Sequence, residues 1–189
     1  MKRCLLVMAV LAAGAVTLSA CGGSSASSTS TLATSASYGP AYARFNADFP
    51  SKPTSATDTK EVLSGFPPGV TTGTAYWVSP VADPLKASTK TPPAPTYVVV
   101  VGKAGTEAEV STFTSSFKTV TGAKPVTNNG AQGYQFSGTE KNIDKSDVTD
   151  PTATEAFMFL SKGMTLYAVI VVNDQASAAR KFLNSFRPV

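Results

Sequence analysis

Ser115 and Lys118 stand three residues apart, which on a helix would place a hydroxyl and an ammonium one turn apart, the arrangement in which a lysine activates a serine for acyl transfer. The companion Ser-Asp-Asn and Lys-Thr-Gly elements of that chemistry are missing, and serine is common throughout the chain, so the pair is read as a solvated helix face. Asp144, Asp147 and Asp150, with Glu140 nearby, form an oxygen-rich segment of the kind a hard cation such as Ca²⁺ would take. Their spacing lacks the alternation and the glycine of an EF-hand loop, and Asp147-Val148-Thr149-Asp150-Pro151 reads as a turn in which aspartates bond nearby amides. The sequence has no histidine, which excludes Ser/His/Asp and Cys/His catalysis, histidine-ligated zinc and an imidazole pH switch. It also carries no phosphate-binding or dinucleotide-binding glycine motif. Both cysteines, Cys4 and Cys21, fall within the first 21 residues, so no disulfide or thiolate cluster forms downstream. The expectation is a chain without a catalytic centre, a metal or a cofactor.

Cys21 is the one residue with a specific chemistry. Lys2 and Arg3 make a short positive start, Cys4 to Leu18 is a charge-free apolar run of 15 residues, and Leu18-Ser19-Ala20-Cys21 follows. That box resembles a bacterial lipobox, in which small residues precede a cysteine whose thiol receives diacylglycerol. The resemblance implies a lipoprotein signal over residues 1–20, lipidation of Cys21, and residence on the extracytoplasmic face of a bacterial membrane, either the cell membrane or an outer membrane. A membrane-spanning helix would need about 20 apolar residues, longer than this run. Gly22 after the cysteine supplies no acidic retention signal, which leans toward the outer membrane in a two-membrane cell.

Without Lys2 and Arg3 the chain carries 14 basic against 12 acidic side chains, a net charge of +2. The lysines are scattered with no basic run, so no nucleic-acid partner is expected and a preference for anionic lipid has little support. Residues 22–37 are Gly, Ser, Thr and Ala with Leu32 as the single larger apolar residue, a composition that cannot bury enough surface to fold. A coil of that length spans roughly 22 Å, so residues 21–41 are expected to act as a lipidated tether and 42–189 as one domain.

The elements that position everything else follow from periodicity. Ala43, Phe45, Ala47 and Phe49 alternate with polar residues as one strand, Thr57 to Leu63 reads as a second and Thr74 to Ser79 as a third. The proline-rich stretch from Pro80 to Pro95 reads as a long loop. Thr96 to Val101 is a continuous β-branched run, the pattern of a central strand covered on both faces. Thr106 and Glu109 fit a capping box before a helix whose stripe is Val110, Phe113, Phe117 and Val120, with Gly122 placed for a left-handed cap. Asn128-Asn129-Gly130 reads as a turn before a strand with Tyr134 and Phe136 on one face. Ala156 to Leu160 and Met164 to Val172 read as a hairpin about Lys162-Gly163. Asp174 would cap a last helix with Ala179, Phe182, Leu183 and Phe186 facing inward, while Arg180, Lys181 and Arg187 complement its C-terminal dipole and Pro188 ends it. The predicted order is β-β-β-β-α-β-β-β-α, an α+β two-layer or three-layer sandwich in which six to seven mainly antiparallel strands are covered by two helices, expected on one face.

Phe45-Asn46-Ala47-Asp48-Phe49-Pro50-Ser51-Lys52-Pro53 and Arg180-Lys181-Phe182-Leu183-Asn184-Ser185-Phe186-Arg187 resemble the edges of PsbP-like α/β sandwich domains of bacterial envelope lipoproteins, over about residues 44 to 187. The resemblance implies a noncatalytic binding or assembly module that acts through its surface, and it transfers no functional residue. The expected partners are the membrane through the anchor and an envelope protein or lipid. The aromatics Tyr76, Trp77, Tyr97, Tyr134, Phe136 and Tyr167 leave a second reading open, a carrier with an apolar ligand between sheet and helix; an undetected hydrolase is a third. As packed core residues the same rings need no ligand.

Overall fold

The computed structural model describes residues 36–38, 45–80, 82, 84, 85, 95–139 and 154–189. Cys21, Glu140, Asp144, Asp147 and Asp150 lie outside the described residues, as does most of the expected loop before Pro95.

Among the described residues, ten strands and three helices run in the order β1 (Ala36–Tyr38), β2 (Phe45–Ala47), β3 (Thr54–Thr57), α1 (Lys60–Leu63), β4 (Thr72–Val78), β5 (Thr96–Lys103), α2 (Glu107–Lys118), β6 (Lys124–Asn128), β7 (Ala131–Thr139), β8 (Thr154–Lys162), β9 (Thr165–Asp174), α3 (Ala176–Ser185) and β10 (Arg187–Pro188). Seven strands form one antiparallel sheet in the order β3-β4-β5-β9-β8-β7-β6, and β1, β2 and β10 form a small second sheet. The fold is α+β, dominated by antiparallel pairing.

Successive strand residues point to opposite faces, so the valines of β5 divide between two cores. Val99 and Val101 join Tyr76, Met158, Leu160, Tyr167 and Val169 under α3 and the small sheet. Val98 and Val100 join Trp77, Phe136, Phe157 and Phe159 under α1 and α2. The two long helices therefore cover opposite faces, and the expected one-face arrangement is corrected to a sheet between two layers. The reason is that β4, β5, β8 and β9 are apolar at successive positions, so either face left bare would expose a core's worth of apolar surface.

Several local expectations hold. Thr106 and Glu109 form both arms of the capping box: the Glu109 amide donates to Thr106 Oγ1 at 3.3 Å and the Thr106 amide donates to the Glu109 carboxylate at 3.3 Å. Phe113 and Phe117 are buried on that helix, with Phe117 stacked on Phe159 of β8 at 3.6 Å between ring centroids. Asn129 and Gly130 both have positive φ, 47° and 81°, matching the twist a two-residue hairpin needs between β6 and β7. Gly163, at φ 55°, turns β8 into β9. No helix among the described residues is long and apolar enough to cross a membrane.

Four expectations are corrected. Ala36–Tyr38, inside the segment expected to be spacer, pairs with β2, because an unpaired edge there would leave the backbone groups of Phe45 and Ala47 without partners on that side. Thr57 to Leu63 is not a strand. Asp58 adopts φ 53° with its carboxylate accepting the Gly73 amide at 2.6 Å, and Thr59 Oγ1 then caps α1 by accepting the Val62 amide. Gly122 has positive φ, but α2 has already ended at Lys118, so this glycine shapes the turn into β6 and does not cap the helix. Asp174 ends β9 and Gln175 occupies the N-cap without a side-chain bond, because the Asp174 carboxylate is held by the Tyr97 hydroxyl at 2.6 Å and the Gln175 amide at 2.7 Å.

The two segments that carry the resemblance meet in space although they are far apart in sequence. Phe45 stacks near Phe186 at 5.5 Å and Phe49 meets Phe182 edge-on at 5.1 Å. The Asp48 amide donates to Ser185 Oγ at 2.9 Å. Helix α3, β10 and the segment around β2 thus form one packed unit.

Candidate functional site

Helix α3 is amphipathic by position. Ala179, Phe182 and Leu183 are buried, and Phe186, one residue past the helix, is buried with them. Ser177, Arg180, Lys181 and Asn184, at i, i+3, i+4 and i+7, share the exposed face. Beside this face the chain turns at Phe186 into β10, which brings exposed Arg187 against the last turn. Arg187 Nη1 donates to the carbonyls of Asn184 and Phe186 at 2.5 and 2.6 Å, so its guanidinium is anchored at the helix end while the rest stays open to water.

These side chains line an open groove of about 680 Å³ whose other wall is Asp48 and Ser185. Ser185 Oγ is already committed, donating to the Phe182 carbonyl at 2.7 Å and accepting from Asp48. Among the described residues no ion pair joins Arg180, Lys181 or Arg187 to a carboxylate. The groove therefore carries three cations against one anion, with the Asn184 amide and the Ser177 hydroxyl as neutral donors. Such a surface offers charge and hydrogen-bond donors to an anion and is open to water.

The serine–lysine pair does not assemble a nucleophile. Ser115 and Lys118 both lie exposed on α2, on the opposite side of the sheet, and Ser115 Oγ donates to the Thr112 carbonyl at 3.3 Å. Among the described residues no group of three or more Cys, Asp or Glu could hold a metal. The six aromatics considered for a ligand cavity separate: Tyr76 and Tyr167 are buried on the α3 side with Tyr97 packed against them, whereas Trp77 and Phe136 are buried on the α2 side with Tyr134 beside them. Adjacent residues such as Tyr76 and Trp77 cannot line one chamber, because a strand sends them to opposite faces.

Two tyrosines are perturbed. Burial first, then the hydrogen bond and charge of Asp174, push the Tyr97 phenol well above its ordinary range. Burial likewise raises Tyr167, partly offset by a hydrogen bond with Thr165. Both groups are held neutral by their surroundings, as core residues are.

The cationic groove is the feature that sequence reasoning missed. In the sequence Arg180, Lys181 and Arg187 read as complements of the helix dipole, yet the i, i+3, i+4, i+7 spacing of Ser177, Arg180, Lys181 and Asn184 marks a polar face with two adjacent cations. What periodicity does not contain is Arg187 and Asp48, which arrive through β10 and β2. Compared with known proteins, the chain matches no protein-family model and no curated protein.

Proposed function

We propose that the chain is a lipid-anchored protein of the bacterial envelope, held through Cys21, whose PsbP-like sandwich works as a noncatalytic binding or assembly module. The observation that carries this reading is the contrast between two sheet faces filled by side chains and an open cationic groove on the outer face of α3. Clusters of buried side chains on both sheet faces favour work at a surface over transport of an apolar cargo inside the domain. A further support is the contact between the two segments of the resemblance through Phe45, Phe49, Phe182 and Phe186. Stable anchoring needs more than one acyl chain, which a diacylglyceryl cysteine provides.

Metabolic labelling with a fatty-acid analogue tests the anchor: Cys21→Ala is expected to lose the label and accumulate as unprocessed chain, and normal processing with membrane retention would refute it. A serine-directed acylating probe tests the noncatalytic reading. Labelling of Ser115 that disappears in Lys118→Ala would replace the binding module with a hydrolase. Tightly held lipid in the purified, delipidated-anchor form would replace it with a carrier.

A further inference from the structure

The groove lies close to β1, the first strand among the described residues. Ser37 of β1 is opposite Asn46 of β2, and Arg187 of β10 is opposite Asn46 on the other side. With neighbouring strands about 4.8 Å apart, the backbone at Ser37 is only about 10 Å from that at Arg187. Residue 36 follows Cys21 by 15 positions, and residues 22–35 lie outside the described residues; the flexible spacer expected from their composition would reach about 22 Å, comparable with the roughly 15 Å radius of gyration of a 150-residue domain. On the reading that Cys21 is the anchor, the side of the domain that carries the small sheet and the end of α3 is the side turned toward the bilayer.

We propose that this groove docks the domain on the membrane that anchors it, with Arg180, Lys181 and Arg187 engaging the phosphates of anionic phospholipid headgroups. The charge is complementary: two exposed helix cations without ion-pair partners among the described residues and a guanidinium fixed at the helix end face outward from one open groove. Bidentate guanidinium geometry suits phosphate oxygens, and the Asn184 amide adds a donor beside them. An open groove of this kind binds weakly on its own, which suffices here, since a short tether holds the headgroups at millimolar effective concentration. Docked, the domain would present the α2 side to the envelope; undocked, it would be free to rotate about its tether.

The test uses the mature chain of residues 21–189 without its acyl group, which contains every described element, and vesicles of phosphatidylcholine with or without 30% phosphatidylglycerol (about one lipid in three). Each basic side chain at an anionic surface strengthens binding roughly fivefold. At millimolar accessible lipid, the concentration the tether would supply, co-sedimentation is expected with the phosphatidylglycerol vesicles only, and its absence would overturn the proposal. The double substitution Arg180→Ser, Lys181→Ser should weaken it about 25-fold, while Asp48→Asn, which keeps the backbone bond to Ser185, should strengthen it. That gain cannot come from misfolding. The charge-matched pair Lys103→Ser, Lys118→Ser, away from the groove, should change binding far less. Equal losses in the two double variants, no gain in Asp48→Asn, or binding to inorganic polyphosphate without binding to vesicles would each overturn the proposal. Because the acyl group is absent, this outcome is independent of the labelling of Cys21, so the two readings can fail separately.

Discussion

Replacing Phe182 with alanine removes the ring that joins α3 to the rest of the molecule. The side chain is 3% exposed and meets Phe49 and Tyr97 edge-on, with centroids 5.1 and 5.0 Å away. One neighbour follows β2 and the other belongs to β5, so the ring connects the small sheet, the large sheet and the helix. Truncating a buried phenylalanine costs about 3 to 5 kcal/mol, and each aromatic pair adds about 0.5 to 1.5 kcal/mol beyond its buried area. Collapse into the void is restrained because Leu183 and Ala179 are fixed by the helix and Phe186 by its own stack on Phe45. The cost therefore falls toward the upper part of that range. For a domain of this size each kcal/mol lowers the thermal midpoint by about 2 to 4 °C, so the expected fall is about 6 to 20 °C. Circular dichroism melting of the acyl-free mature chain measures it, with Phe182→Leu as a milder variant that keeps most of the volume. A midpoint within about 2 °C of the parent for Phe182→Ala would show that α3 is not part of the core and would refute the packing argument.

Tyr97→Phe keeps the ring against Phe182 but removes the 2.6 Å donor to Asp174, a hydrogen bond to a charged acceptor whose loss should cost about 1.5 to 3 kcal/mol by urea unfolding near neutral pH. The same bond gives a pH dependence. The folded phenol is held above its ordinary pKa near 10, so its contribution is complete below pH 10 and is lost as pH rises past it, when the unfolded chain ionises first. Stability should thus fall above about pH 10 in the parent and fall less steeply in Tyr97→Phe, with Tyr167 responsible for what slope remains; identical alkaline profiles would contradict the assignment. Gly133 of β7 has no room for a side chain, since a Cβ there would sit 1.9 Å from the Phe159 carbonyl oxygen. Gly133→Ala must push β7 and β8 apart, and a loss of about 3 kcal/mol in the urea midpoint analysis is expected; an unchanged midpoint would mean the β7–β8 spacing is not as described. Ser115→Ala and Lys118→Ala should each leave the melting temperature within about 2 °C of the parent, because both side chains are exposed and away from the cores.

The amino-acid sequence by itself determined the local elements whose signals are confined to a few neighbouring residues. The capping box of Thr106 and Glu109, the Asn129-Gly130 turn, the β8–β9 hairpin and the buried positions of α3 are all readable because hydrogen-bonding reach and side-chain periodicity are local. The continuous β-branched run at 96–101 likewise announced a strand covered on both faces. Periodicity does not say which helix takes which face, and only the tertiary structure put α2 and α3 on opposite sides. Segment 57–63 reads as a strand from its residue types, yet Lys60–Leu63 is a helix. Its backbone was decided by the Asp58 carboxylate bonding the Gly73 amide, 15 residues away. Asp174 went to Tyr97, 77 residues distant, and so was lost to the helix cap. The groove divides in the same manner: the i, i+3, i+4, i+7 face of α3 was present in the sequence, but Arg187 and Asp48 reach it only because β10 and β2 pair beside the helix, a juxtaposition set by long-range packing of Phe45, Phe49, Phe182 and Phe186.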